Sequence, residues 1–270
     1  MQSMEEVKSV LTKIDPINIA ISKEQSPSVI EYSFIVWADQ NARKIIGVTF
    51  DKPMGQKVKN RELLIYLVEK ITSSNLPLVL IDHDFRSKNI EVIDCNIDRT
   101  CRYKVSADEL EELIVRKFLI GDSSNREHIK PVNVRERVHD GFHKWSRSAF
   151  GSKVKKVDID CLLFKDRVMV TIEVKNTSRS QISIDRWQPY TNDQDNYKIV
   201  GLFSEQVLNC DFITLQHPLK HDSELKSEDI NVGVWNYNSE LNFTQFRSDR
   251  NRKKMTFSQV VSHYMKKDDL

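Results

Sequence analysis

The chain has 270 residues, 39% apolar and 30% charged, with a formal net charge of +2. Such a composition describes a globular protein able to bury a core, in one large domain or two modest ones. It holds no run near the ~18 apolar residues of a membrane span, and its start, MQSMEEVKSVLTKIDP, carries acids where a secretory signal would be apolar. A cytoplasmic protein without a membrane partner is therefore expected. Cys95, Cys101, Cys161 and Cys210 are widely spaced and form no Cys-x-x-Cys pair, which argues against a cysteine metal site.

In chain order, residues 4 to 14 read as a short helix ending before Pro16. SVIEYSFIVWAD and RKIIGVTFD read as two strands rich in branched and aromatic residues, joined by the polar QNA turn. NRELLIYLVEKITSS, residues 60 to 74, has apolar positions at helical spacing, and LPLVLIDHD is then a short buried strand. Its end, Asp82 to Asp84, is an acidic turn of the kind that caps a helix more often than it holds a metal. After the strand NIEVIDCNI, Ser106 and Glu109 form the S-x-x-E signature of a capped helix running to Gly121.

GDSSNREHIKP, residues 121 to 131, has the composition of a linker, so the expected domains are 1–122 and 123–270. A helix over residues 133 to 147 follows, with Val134, Val138, Phe142 and Trp145 on one side and Glu136, Asp140 and His143 on the other. YKIVGLFS, DFITLQ, INVGVWNYN and LNFTQFR are expected as strands, and TFSQVVSHYMKK as a terminal helix. Positive charge gathers in residues 126 to 156 and 247 to 254, and would suit phosphate contacts if the two runs met at one cleft.

The chemistry centres on VDIDCLLFKDRVMVTIEVKN, residues 157 to 176. Glu173 and Lys175 stand inside a run that otherwise reads as buried strand, where an uncompensated charge costs several kcal/mol. Strand periodicity puts Thr171, Glu173 and Lys175 on one face, and Asp158 and Asp160 likewise share a face. A hairpin pairing Phe164 with Met169 would set Asp160 opposite Glu173. Two carboxylates so close repel unless a cation lies between them, and a hard divalent ion meets that need.

Asp160, thirteen positions before Glu173-Val-Lys175, resembles the core of the PD-(D/E)XK superfamily, the restriction-endonuclease-like nucleases. The local likeness is to nuclease-related and Holliday-junction-resolvase-like domains, in which D-I-D precedes I-E-V-K-N, although here Val157-Asp158-Ile159-Asp160 stands in place of a Pro-Asp motif. It covers about residues 130 to 205; nothing before residue 120 takes part. The resemblance implies an α/β fold with a mixed sheet flanked by helices, preceded by a smaller α/β domain. It implies Mg²⁺ or Mn²⁺ held by Asp160 and Glu173 with Asp158 and Glu136 as accessory acids, and Lys175 serving the attacking water. Gln188 is the weaker counterpart of a helical polar pair, Arg179 and Arg186 are possible phosphate contacts, and His143 is a possible ligand. The implied partner is nucleic acid, DNA ahead of RNA, cut by a homodimer; a ribonuclease of the same fold and an inactive binding protein are the alternatives.

Overall fold

The computed structural model describes residues 33–54, 61–84, 88–97, 101–120, 141–159, 161–165, 168–176, 187–217 and 231–264. The chain forms two compact units, Ile30–Asp158 and the remainder. The expected boundary at 122/123 lies outside the described residues, and the division falls instead between Asp158 and Ile159. The protein is thus mixed α/β, and among the described residues no helix is long and apolar enough to cross a membrane.

In the first unit, β1 (Ser33–Asp39) and β2 (Ile45–Pro53) form a hairpin, and α1 (Arg61–Ser73) carries the chain over to β3 (Leu78–Asp84), which lies parallel to β2. Strands β4 (Asn89–Asp94) and β5 (Arg102–Val105) add antiparallel, as does β6 (Val154–Asp158) beside β1, giving the order β5-β4-β3-β2-β1-β6. Six consecutive residues of β3 are buried, as a strand covered on both faces requires, whereas β4 alternates. Helix α2 (Ala107–Lys117) opens with the expected capping box between Ser106 and Glu109. It stops earlier than expected, since Leu119 takes a left-handed φ of 52° ahead of Gly121.

Helix α3 (Gly141–Phe150) belongs here too: Phe142 and Phe150 are buried with Trp37, Ile81 and Ile114 in one core. Val134, Val138, Glu136 and Asp140 lie outside the described residues. Asp158 ends β6, paired with Ile35 of β1 at the edge of this sheet, while Asp160, expected to share a face with it, lies outside the described residues.

In the second unit, β7 (Cys161–Lys165) and β8 (Val168–Asn176) form the expected hairpin, with Phe164 paired to Met169. Helix α4 (Gln194–Phe203) then crosses over to β9 (Asp211–His217), which is parallel to β8. Strands β10 (Asn231–Asn236) and β11 (Arg252–Thr256) complete the order β11-β10-β9-β8-β7. Between them lies the short helix α5 (Phe243–Phe246), and α6 (Phe257–Tyr264) follows β11. Val170, Ile172, Ile213, Leu215, Val232 and Val234 form a core on one face, closed by Val260 and Tyr264 of α6.

Two expected strands are helices. YKIVGLFS lies within α4 and the turn after it, because a parallel β8–β9 pair needs a crossover and Tyr197, Val200 and Phe203 bury equally well at helical spacing. LNFTQFR contains α5, started by a reciprocal cap between Asn242 and Gln245. The basic run ending at residue 254, read from the sequence only as a concentration of charge, supplies most of β11, the edge strand.

Candidate functional site

Strand β8 turns Val170 and Ile172 into the core, so the alternate residues Thr171, Glu173 and Lys175 share the other face. Glu173 is only 6% exposed. The Lys175 ammonium reaches Glu173 Oε1 at 2.6 Å and Asp193 Oδ2 at 2.9 Å, and lies 5.6 Å from the centre of the Tyr197 ring. Burial favours the neutral amine, but Glu173 and Tyr197 outweigh it and the Lys175 pKa lies well above that of ordinary lysine. The Tyr197 phenol is pushed up by its own burial, against the opposing influence of Lys175, and stays neutral. The side chain of Asp193, N-cap of α4, bonds no backbone N–H of its helix and is spent on the lysine.

Strand β9 extends this face. Thr214 pairs with Glu173 and Gln216 with Lys175, and in parallel strands paired residues point the same way. Glu173 and Lys175 therefore sit near the carboxyl end of β8 beside the carboxyl end of β9, the position where open α/β sheets receive ligands. Trp235 of β10 pairs with Thr214 and packs edge-on against Trp187, ring centres 4.9 Å apart.

Of the expected site residues, the structure brings Glu173 and Lys175 together. Asp160 lies outside the described residues; β7 begins at Cys161, which pairs with Ile172, one step short of the expected meeting with Glu173. Glu136, Arg179 and Arg186 also lie outside, as does the side chain of His143. Gln188 is half-buried in the irregular segment 187–190 rather than on a helix. Asp158 is exposed at the end of β6 in the first unit. Asp82 is no loose acidic turn: it is buried and bonded to Lys52 at 2.8 Å and Arg102 at 2.7 Å, while His83 meets Asp51 at 3.3 Å.

Sequence reasoning did not single out Asp193, Thr214 or Gln216. Asp193 becomes visible once its neighbours are read as the start of a helix. Gln216 carries the signal that picked out Glu173, a polar residue inside an apolar strand. Among the described residues no three His, Cys, Asp or Glu side chains form a metal-holding group. What is present is a pair of hard carboxylate donors, Glu173 and Asp193, drawn to one cation, Lys175. Comparison with protein-family models, with curated proteins and with solved structures finds no match.

Proposed function

We propose that the second unit is a metal-dependent nuclease of the restriction-endonuclease-like kind, hydrolysing phosphodiester bonds of nucleic acid, DNA ahead of RNA. The observation that carries the reading is the buried Glu173–Lys175 pair with Asp193, set at the carboxyl ends of two adjacent parallel strands. Burying such charges costs stability, and charged groups perturbed in this way cluster at functional sites. Glu173 would hold Mg²⁺ or Mn²⁺, with Asp160 as the expected second carboxylate. A bound ion would polarise the phosphate and lower the pKa of a water. With Glu173 and Asp193 beside it Lys175 is cationic, and its part would be to hold a phosphate oxygen or steer the water through its N–H donors. Cytoplasmic action as a homodimer, which would let two strands be cut, belongs to the same proposal.

The test is cleavage of labelled single-stranded DNA, duplex DNA, branched DNA and RNA with Mg²⁺ or Mn²⁺, beside Lys175→Ala and Asp160→Asn and with the fold checked by circular dichroism. Cleavage by the wild type that both substitutions and EDTA abolish is the expected result. Absence of cleavage with either metal on all four substrates would sink the proposal.

A further inference from the structure

Gln216 is fully buried, and neither its amide oxygen nor its amide nitrogen has a hydrogen-bond partner among the described residues. The hydroxyl of Thr214, also fully buried, has none either. A sealed amide without partners loses its hydration and gains nothing in return, which costs roughly 1–3 kcal/mol. Native cores hold few such groups, and each calls for a reason.

Room has been left for this one. Gly233 pairs with Gln216 across β9 and β10, and a Cβ added to Gly233 would lie 3.1 Å from the Gln216 amide oxygen and 2.8 Å from the Trp235 ring. The amide therefore occupies space that any side chain at 233 would take. On its other flank, Gln216 is the ladder partner of Lys175. Both unpartnered groups thus stand opposite the two charged residues of the site, Thr214 beside Glu173 and Gln216 beside Lys175. The indole N–H groups of Trp187 and Trp235, whose rings lie edge to face, are likewise buried and have no hydrogen-bond partner among the described residues.

We infer that Gln216 is a substrate-binding residue of this site, its amide N–H donating to a non-bridging oxygen of the phosphodiester held at Lys175. The inference rests on the nuclease reading and names the group that fixes the phosphate. An amide suits the task because it donates without charge: it strengthens the grip on an anion without competing for Glu173 as a second lysine would. The amide is sealed in this state, so a phosphate oxygen reaches it only when the groups that cover it move aside.

The experiment compares wild type, Gln216→Leu, Gln216→Glu and Thr214→Val in two measurements: the midpoint of thermal unfolding without metal, and kcat and KM for a labelled oligonucleotide with Mn²⁺. Gln216→Leu is expected to unfold at the same temperature or higher, since it replaces an unpartnered amide by a hydrocarbon, while kcat/KM falls 10- to 100-fold. Gln216→Glu, which offers an acceptor where a donor is needed, is expected to lose at least as much. Thr214→Val, a near-isosteric change, is expected to keep its unfolding temperature and lose less activity than Gln216→Leu. A clear drop in unfolding temperature for Gln216→Leu would mark the amide as structural and overturn the inference. Full activity in Gln216→Leu, with Lys175→Ala inactive, would overturn it while leaving the nuclease reading intact. A wild type that neither cleaves nor binds the oligonucleotide would remove both.

Discussion

Replacing Lys175 by methionine takes the ammonium from between Glu173 and Asp193 and leaves a nearly buried carboxylate without that cation. The expected loss is about 3 kcal/mol in urea unfolding, the low end of the range for removing one partner of a buried ion pair, since Lys175 and Asp193 keep some contact with solvent. Its pH dependence follows from the raised lysine pKa. The ammonium's contribution is complete below the ordinary lysine value of about 10.4 and fades only as pH climbs through the higher folded value. The deficit of Lys175→Met should therefore be the same at pH 6 and pH 9; a deficit that vanished by pH 9 would contradict the assignment. Lys156 of β6 behaves in the opposite sense. Its ammonium is sealed 5.0 Å from the Trp37 ring centre and 5.7 Å from that of Phe150, without a hydrogen-bond partner among the described residues. Burial, aided by Arg147, lowers its pKa to about 7. Below that value both folded and unfolded chains carry the charge and the burial penalty is complete; above it only the unfolded chain keeps the proton up to about pH 10.4, so stability rises with pH. Lys156→Met should stabilise the protein by roughly 1–3 kcal/mol at pH 6 and by progressively less toward pH 10, as urea titrations across that range would read.

At the scale of elements, α4 is the crossover that keeps β8 and β9 parallel, and its seat depends on the absence of a side chain at Gly201. A Cβ there would overlap the Tyr237 ring, which is half-buried and packed against Phe212 and Phe246. Gly201→Ala is therefore expected to cost about 1–3 kcal/mol despite alanine's better helix propensity, and Tyr237→Leu in the same chain to recover part of the loss. The same helix marks where sequence reasoning reached its limit. Tyr197 to Ser204 is a short apolar run with no period that separates strand from helix, and the deciding fact is the parallel register of Glu173 with Thr214, a contact 41 residues apart in the chain. The α2 cap was legible because Ser106 and Glu109 bond each other's backbone locally. The β7–β8 hairpin was legible because alternation and a short turn set its register. Glu173 and Lys175 could be read because a charge in a buried strand needs a partner; Asp193 could not, because its role depends on where α4 begins.

For the whole molecule, the strand that decides the division is β6, which follows the linker-like segment yet pairs with β1, Lys156 opposite Trp37. A fragment spanning residues 30 to 158 contains its six-stranded sheet and its core entire. It is expected to unfold cooperatively by itself in a calorimeter. A fragment ending at residue 122 loses β6 together with Phe142, Phe150 and Val154, three buried members of that core, and should show no such transition. Equal cooperativity of the two fragments would reject the division at Asp158. The pairing of Ile35 with Asp158 has a further consequence. The segment enters and leaves through neighbouring strands, so its two ends stand side by side, the geometry that lets a folded cassette be spliced into a host polypeptide, or cut from it and the gap closed by a short bridge. Evolution could exchange this part for another without redrawing the strands that carry Glu173 and Lys175.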